Sequence, residues 1–346
     1  MRTAKTMPLL VFAFFCLASC RSNTTYKIPT QIYAPTARQA DADDLAQFRR
    51  SYLAFSQYCG SEFSRQDGGF AFPIVTAYQT GLTLLAASEG KTFTEAATFL
   101  HTDSPDEYPL VQGFNDLYIP LVQPENHQMK FGSAVWMIWP TPMQTEFQTE
   151  MAERIGSDVV RLGNAGITPH NAMAAWIHQF IYKAKAPDFD KSDPIVCTGA
   201  LSVTFNSPLA KNGDIWGAKD GNLIFLAWED KDLWQLPAES YLKQVVNFES
   251  APGPSPVETV IEGEADLLPM AKALGLEKLI TGPNDLRNLS VEIIPQGDEI
   301  GVAIMRQYLS IKIDGTTGPP SKGEPFRWAL YDRRTSLPLA IGRFVP

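Results

Sequence analysis

The chain has 346 residues, of which 45% are hydrophobic, including 20 Phe, 11 Tyr and 7 Trp. This length and apolar content suit one sizeable folded domain and are too apolar for a disordered chain. The net charge of -9 at pH 7 argues against nucleic acid as a partner, which needs a basic surface, and against electrostatic docking on anionic lipid.

The first 20 residues resemble a bacterial lipoprotein signal peptide. Two basic residues precede an apolar run over residues 7–17 that is too short to span a bilayer. The run ends in Leu17-Ala18-Ser19-Cys20, which is similar to a lipobox, so the resemblance implies that Cys20 is acylated and becomes the mature N-terminus. The alternative is an ordinary secretory signal with a chance cysteine. Arg21, in place of Asp, implies the outer membrane if the host is Gram-negative.

Residues 21–44 are rich in Ser, Thr, Asn, Asp and Ala without sustained periodicity, which is typical of a flexible tether. The remainder, residues 45–346, is predicted to be a single domain, because no internal repeat divides it. Beyond the signal region the cysteines are Cys59 and Cys197. Outside the cytosol they could form a disulfide, or they could be two buried free thiols. The sequence leaves both alternatives open.

The domain is predicted to begin with a helix, because Leu45, Phe48, Tyr52 and Phe55 share one helical face. A short strand ending near Pro73 then leads into a buried helix rich in small residues. Further along, Thr92 and Glu95 have the spacing of a capping box, in which each side chain bonds the backbone at the start of its own helix.

Strands and helices alternate through the middle of the chain. A strand is predicted over 131–139, and because it is apolar on both faces it should be central in a sheet. A helix over 144–155, stopped by Gly156, and a strand over 158–162 follow. The next predicted elements are a helix capped by Thr168, with Trp176 on its apolar stripe, and a strand over 196–205 that leads to Asn206.

Three elements are predicted near the C-terminus. Residues 265–280 have the pattern of an apolar helix stopped by Gly275, and residues 302–314 that of a long strand. Apolar residues then alternate with others on both sides of a polar turn over residues 332–336. This alternation predicts a buried β-hairpin that lays one face on the core.

Together these segments resemble the serpin family, the serine protease inhibitor fold. The ending is similar to that of the family, with Pro325 and Phe326 before the hairpin and Gly342, Arg343 and Pro346 at its end. Pro73, Trp176, Asn206 and Gly275 also match structural positions of family motifs, although Ala174 replaces an Asn of the Trp176 motif. The resemblance implies an α+β fold with a large central mixed or antiparallel sheet, a second sheet and about eight helices. Residues 211–257 resemble the family poorly.

The resemblance directs attention to the segment before the hairpin. A serpin inhibitor carries a long exposed loop there, which a protease cleaves and which then inserts as a new central strand of the main sheet. Here the segment is short and consists of Gly315, Thr316, Thr317, Gly318, Pro319, Pro320, Ser321, Lys322 and Gly323. Proline lacks an N–H donor and is excluded from central strands. We therefore expect a short connector, not an inserting loop.

The family also keeps two Ser, an Asn and a His beneath the centre of the main sheet, where they allow the sheet to open. Here Phe72 and Val75 stand at the two serine positions, no His lies between residues 301 and 313, and Asn206 alone matches. This predicts apolar packing beneath a sheet that does not open.

Other catalytic or binding motifs are weak or missing from the sequence. It contains no nucleophile elbow, phosphate-binding loop or His-Glu-x-x-His motif. Residues 188–193 begin like a calcium loop, but the Gly at its sixth position is missing and Gly199 stands where the bidentate Glu should be. We therefore predict no catalytic residue, metal or cofactor.

Three functions are consistent with these observations. The first is a lipid-anchored, extracytoplasmic serpin-like protein that is neither an enzyme nor an inhibitor and presents a surface to a protein partner. The second is a protease inhibitor that uses residues 314–324 as a short rigid bait, with Lys322, Ser321 or Thr317 facing the protease. The third is a cell-envelope hydrolase on an unrelated fold. We favour the first, because the features needed for loop insertion are missing.

Overall fold

The computed structural model describes residues 40–65, 68–122, 128–138, 143–162, 168–190, 194–207, 209–212, 215–229, 259–282, 285–290, 301–313 and 325–345. The helices in these ranges are α1 (Ala42–Ser64), α2 (Ile74–Ala87), α3 (Gly90–Phe99), α4 (Tyr108–Leu121), α5 (Thr145–Ile155), α6 (Pro169–Ile177), α7 (Leu268–Ala273) and α8 (Glu277–Thr281). None of them combines the length and apolar character needed to cross a bilayer.

The strands are β1 (Phe70–Phe72), β2 (Met129–Met137), β3 (Ser157–Arg161), β4 (Ile195–Phe205), β5 (Ala210–Asn212), β6 (Ile215–Asp220), β7 (Leu223–Glu229), β8 (Thr259–Asp266), β9 (Val302–Ile313), β10 (Phe326–Asp332) and β11 (Leu337–Phe344). They form a five-stranded sheet in the order β3-β2-β4-β9-β8 and a six-stranded sheet in the order β1-β11-β10-β7-β6-β5. In the five-stranded sheet, β2 is parallel to β3 and β4 is parallel to β9, and the other pairs are antiparallel. The predicted α+β class, with a mixed sheet and a second sheet, is confirmed.

The five-stranded sheet is covered on both faces. Its inner face packs on α2, every residue of which is buried, and on the larger core that includes the six-stranded sheet. Its outer face packs on α6 through a separate cluster that includes Trp136, Trp176 and Tyr308. Because both faces are covered, β2 and β4 are buried along nearly their whole length, which agrees with the central position that the sequence predicted for β2.

The start of the domain differs slightly from the prediction. Helix α1 begins at Ala42, inside the predicted tether, because the carboxylate of Asp41 accepts hydrogen bonds of 2.9 Å from the backbone N–H groups of Asp43 and Asp44. The tether residues before position 40 lie outside the described ranges.

The predicted capping box at Thr92 and Glu95 is wrong. Helix α3 begins at Gly90, upstream of both residues. Thr92 Oγ1 instead accepts a hydrogen bond of 2.8 Å from the backbone N–H of Asp285, and Glu95 Oε2 accepts one of 3.0 Å from Leu279. Both side chains therefore join α3 to the α8 region and do not cap their own helix.

The predicted helix over 265–280 is divided. Strand β8 continues to Asp266, and Gly275 separates α7 from α8. Gly275 has a φ of 80°, and its N–H and that of Leu276 donate to the carbonyls of Lys272 and Ala271 at 3.0 and 3.1 Å. This is a Schellman motif, so the prediction that Gly275 stops a helix is confirmed.

The predicted C-terminal hairpin is confirmed as β10 and β11, which pair antiparallel. The hairpin is buried, as predicted, and the burial extends over every residue of β10, including Arg327. Neighbouring strands β7 and β1 enclose the hairpin on its two edges, and the core covers it.

Candidate functional site: the junction between β4 and β9

The junction between β4 and β9 is the place where the serpin resemblance locates an inserting strand. These two strands are direct neighbours and pair in parallel over eleven residue pairs, from Ile195 with Val302 to Phe205 with Ile313. One irregularity occurs, between Ile195 and Val196. Their backbone hydrogen bonds are therefore made to each other, and no gap separates them along this length.

A buried polar contact joins the junction to α2 beneath it. Thr76 Oγ1 donates a hydrogen bond of 2.7 Å to Gln307 Oε1, and Gln307 Nε2 donates one of 3.4 Å to Thr80 Oγ1. All three residues are fully buried. A satisfied buried amide of this kind resists separation from its partners, because an unpaired amide in the core would be costly.

Gly199 makes this contact possible. It lies directly opposite Gln307 in the ladder. A Cβ at position 199 would stand 2.0 Å from Gln307 Oε1 and 2.8 Å from Thr76 Cβ. Because glycine has no side chain, position 199 leaves the space through which the Gln307 amide reaches α2.

A second polar contact lies further along the same helix and sheet. Thr83 Oγ1 and Ser133 Oγ lie 2.8 and 2.9 Å from Ser157 Oγ, and all three residues are fully buried. These bonds tie α2 to β2 and β3.

The prediction of apolar packing beneath the sheet is therefore only partly right. Phe72 and Val75 are fully buried in the apolar core, as expected. Sequence reasoning missed the polar layer beside them. The signal was present, because Thr76, Thr80 and Thr83 recur at helical spacing in an otherwise apolar helix, which predicts a polar stripe that needs partners.

The outer face of the sheet has its own buried polar pair. Trp176 on α6 packs edge-on against Trp136 of β2, with ring centroids 5.9 Å apart, and its Nε1 donates a hydrogen bond of 2.7 Å to Asp158 Oδ2. Burial raises the pKa of Asp158 to about 6, and the bond from Trp176 opposes this rise. The predicted apolar stripe of α6 is confirmed, as are Thr168 at its N-cap and Pro169 at its first position.

Several other serpin-like residues predicted from the sequence connect or pack the strands and helices. Pro73 lies between β1 and α2, and Asn206 follows β4, where its N–H donates to Asp220 Oδ2 at 2.8 Å. Phe326 stacks on Phe344 with centroids 5.1 Å apart. A Cβ on Gly342 would stand 2.3 Å from the Trp328 ring, so this position needs glycine.

Two more of the predicted residues lie in the described ranges, and the others lie outside them. Pro325 is exposed and directly precedes β10, and Arg343 lies opposite Arg327 in the hairpin. Cys20, residues 315–323 and Pro346 lie outside the described residues.

Cys59 and Cys197 are both fully buried free thiols. Burial raises the pKa of each thiol, which disfavours the reactive thiolate. Of the two alternatives left open by the sequence, the pair of free thiols is therefore the one observed. Within the described ranges, no group of three or more His, Cys, Asp or Glu side chains is placed to hold a metal ion.

Neither a protein-family model nor a curated protein matches this chain. Solved structures do match. Mouse protein-Z dependent protease inhibitor is similar with a TM-score of 0.63 and 11% identity, over 88% of this chain and 96% of that chain. A tumour suppressing serpin is similar with a TM-score of 0.66 and 13% identity, over 88% and 99%. Serpin-12 of Manduca sexta is similar with a TM-score of 0.63 and 14% identity, over 87% and 98%.

This chain has the serpin fold. At such identities the likeness establishes the fold alone. The serpin fold contradicts the premise of the third hypothesis, which was a hydrolase on an unrelated fold. It is compatible with a protein that is not an enzyme.

Proposed function

We propose that this protein is a non-inhibitory serpin-fold protein, anchored to the bacterial cell envelope through Cys20, that presents a surface to a protein partner. The observation that best supports the proposal is the short connection of residues 314–325 between β9 and β10, because any strand that it supplied would have to enter the closed ladder between β4 and β9. A strand that inserted between them would have to replace all eleven parallel pairs.

The length of the connector supports the same conclusion. At ~3.3 Å per residue, the ladder is roughly 35 Å long. Only residues 314–325 join β9 to β10. Part of this segment must turn back at the end of β9 before any of it could enter the junction. Pro319 and Pro320 within it would leave two positions without N–H donors.

The interactions beneath the junction add a further cost to opening. An inserting strand would separate Gly199 from Gln307, and the amide of Gln307 is held to Thr76 by a buried hydrogen bond of 2.7 Å. Breaking a buried hydrogen bond without replacing it costs about 1–3 kcal/mol. These contacts oppose the opening of the closed sheet.

Protease challenge tests the proposal. The purified protein is incubated with trypsin and with elastase, alongside an inhibitory serpin as positive control. We expect no SDS-stable adduct and no loss of protease activity. An SDS-stable adduct would show a working inserting loop and contradict the proposal.

The same assay distinguishes the rigid-bait alternative from the proposed non-inhibitory function. Reversible inhibition of trypsin that disappears in Lys322→Ala would identify residues 314–324 as a bait and would also contradict the proposal. Lys312→Ala is the matched control, because Lys312 lies within β9 and not in the connector.

A further inference from the structure

The turn that follows α6 presents an unusually exposed aromatic side chain. We call residues 178–185 the Tyr182 turn. Tyr182 is 80% exposed, whereas the other exposed large hydrophobic side chains of the described residues are 38–45% exposed. A large apolar ring held in water is the kind of side chain that dominates binding energy when a partner covers it.

The turn is held firmly from below. Ile181 and Ala186 are buried in the cluster around Trp176, and the ring of Phe180 packs on Trp176 with centroids 4.8 Å apart. His178 Nε2 lies 2.9 Å from the carbonyl oxygen of Ala184, so its ring links the two ends of the turn. Tyr182 is thus presented on an ordered support, which reduces the entropy lost on binding.

Lys183 adopts a conformation that is rare for its residue type. Its φ is 67°, in the left-handed region, which is strained for a non-glycine residue. This conformation places its Nζ 5.2 Å from the centroid of the Tyr182 ring, within the range of a cation–π contact. The turn therefore presents the cation and the ring as one unit.

The charge of the turn is opposite to that of the whole chain. Lys183 and Lys185 are exposed, and residues 171–187 contain no Asp or Glu. The next acidic residues, Asp188 and Asp190, follow the buried Pro187. The protein as a whole has a net charge of -9, so the two exposed lysines of the turn differ in sign from the chain as a whole.

We propose that the Tyr182 turn is the docking site for an acidic segment of a partner protein. Tyr182 is the apolar anchor, and Lys183 and Lys185 pair with carboxylates of the partner. The inference rests on the proposed function, in which this chain presents a surface to a protein. A protein partner is favoured over an anionic bilayer, because lipid-binding surfaces use clusters of roughly four to eight basic residues and the turn has Lys183 and Lys185 alone.

Site-specific photo-cross-linking tests the proposal. Tyr182 is replaced by p-benzoylphenylalanine, which keeps an aromatic ring at the position. The purified protein is irradiated with a synthetic peptide of four Glu-Glu-Leu repeats or with one of four Lys-Lys-Leu repeats. The matched control carries the same photoreactive residue in place of Tyr108, which is 44% exposed and lies beside Asp106 and Glu107.

We expect position 182 to label the acidic peptide about fivefold more than the basic one, the effect of two exposed ion pairs. Position 108 should show the opposite preference. The double variant Lys183→Glu with Lys185→Glu should remove the preference at 182 while the melting temperature stays unchanged. Equal labelling of both peptides at 182, or a preference that survives the charge reversal, would overturn the proposal.

A membrane contact is the third arm of the test. Vesicles of phosphatidylglycerol and phosphatidylethanolamine are irradiated with the same protein. Stronger labelling of lipid than of the acidic peptide would overturn the proposal in favour of a bilayer contact. The protease challenge is independent of these readouts, because an adduct with trypsin would contradict the non-inhibitory function and leave the labelling at 182 unchanged.

Discussion

The amide of Gln307 occupies the space that a side chain at position 199 would need. Gly199 and Gln307 are opposite each other in adjacent parallel strands, and a Cβ on Gly199 would stand 2.0 Å from Gln307 Oε1. The same oxygen accepts the hydrogen bond from Thr76. One glycine thus allows the sheet to be fastened to the helix beneath it at the place where serpin sheets would admit a new strand.

The first prediction concerns this pair. Gly199→Ala should destabilise the protein by about 1–3 kcal/mol, because the added methyl group overpacks the site. Combining it with Gln307→Ala should recover part of the loss, since the nearest clashing atom is removed. Urea unfolding of the two single variants and the double variant measures the coupling, expected at about 0.5–3 kcal/mol. Strictly additive losses would show that the two positions do not interact.

Trp176 provides the second prediction. Its ring is buried between α6 and the outer face of the sheet, so Trp176→Ala should cost ~3–5 kcal/mol in the free energy of unfolding. Tyr182→Ala is the control from the same region, and as a surface change it should stay within about 0.5 kcal/mol. Denaturant unfolding compares the two variants. A similar small effect from both would mean that α6 contributes little to the fold.

The third prediction is a pH dependence at Asp158. Its pKa is raised from 3.8 to about 6 in the folded protein. Its contribution to stability is therefore fully present below about pH 3.8 and is lost as the pH rises through about 6. The shift of roughly two units corresponds to at most ~3 kcal/mol.

Asp158→Asn isolates this effect, because an amide oxygen can still accept the bond from Trp176 without titrating. Melting temperatures of both proteins are measured from pH 4.5 to 7.5. The variant should gain stability relative to the native protein as the pH rises. A constant difference across the range would exclude Asp158 as the source of the dependence.

The fourth prediction concerns the connector. A specific protease site is engineered in place of Pro319-Pro320-Ser321 and then cut. Insertion of the freed end would add a central strand and raise the melting temperature sharply, whereas a connector too short to insert predicts no rise, or a loss from the broken connection. Thermal unfolding before and after cleavage decides between them. A large rise would restore the inhibitor hypothesis.

The fifth prediction concerns anchoring. Acylation of Cys20 would hold the protein in the detergent phase of a phase separation, because two or three acyl chains bind membranes stably. Cys20→Ser should move the protein to the aqueous phase. Cys16→Ser, which changes a cysteine within the predicted signal peptide, should leave the partitioning as it is. If the Cys20 variant remained in the detergent phase, the lipoprotein hypothesis would be wrong.

Much of the secondary structure could be predicted from the sequence, because its signals are local. The helix predicted over 144–155 is observed as Thr145–Ile155, and the strand predicted over 196–205 as Ile195–Phe205. Gly275 and Thr168 act within one turn of their own positions. Apolar periodicity and caps depend only on neighbours along the chain, so a single sequence contains them.

Which distant groups meet depends on how the elements pack. Thr92 and Glu95 had the spacing of a local capping box, yet their oxygens accept hydrogen bonds from residues more than 180 positions away. Thr76 and Gln307 meet because β9 pairs with β4 above α2, and no local pattern specifies that pairing. Local patterns in the sequence predict most of the elements and carry the resemblance to serpins. The closed junction and its buried polar contacts were decided by packing, since a buried donor or acceptor bonds to whichever group the fold places beside it.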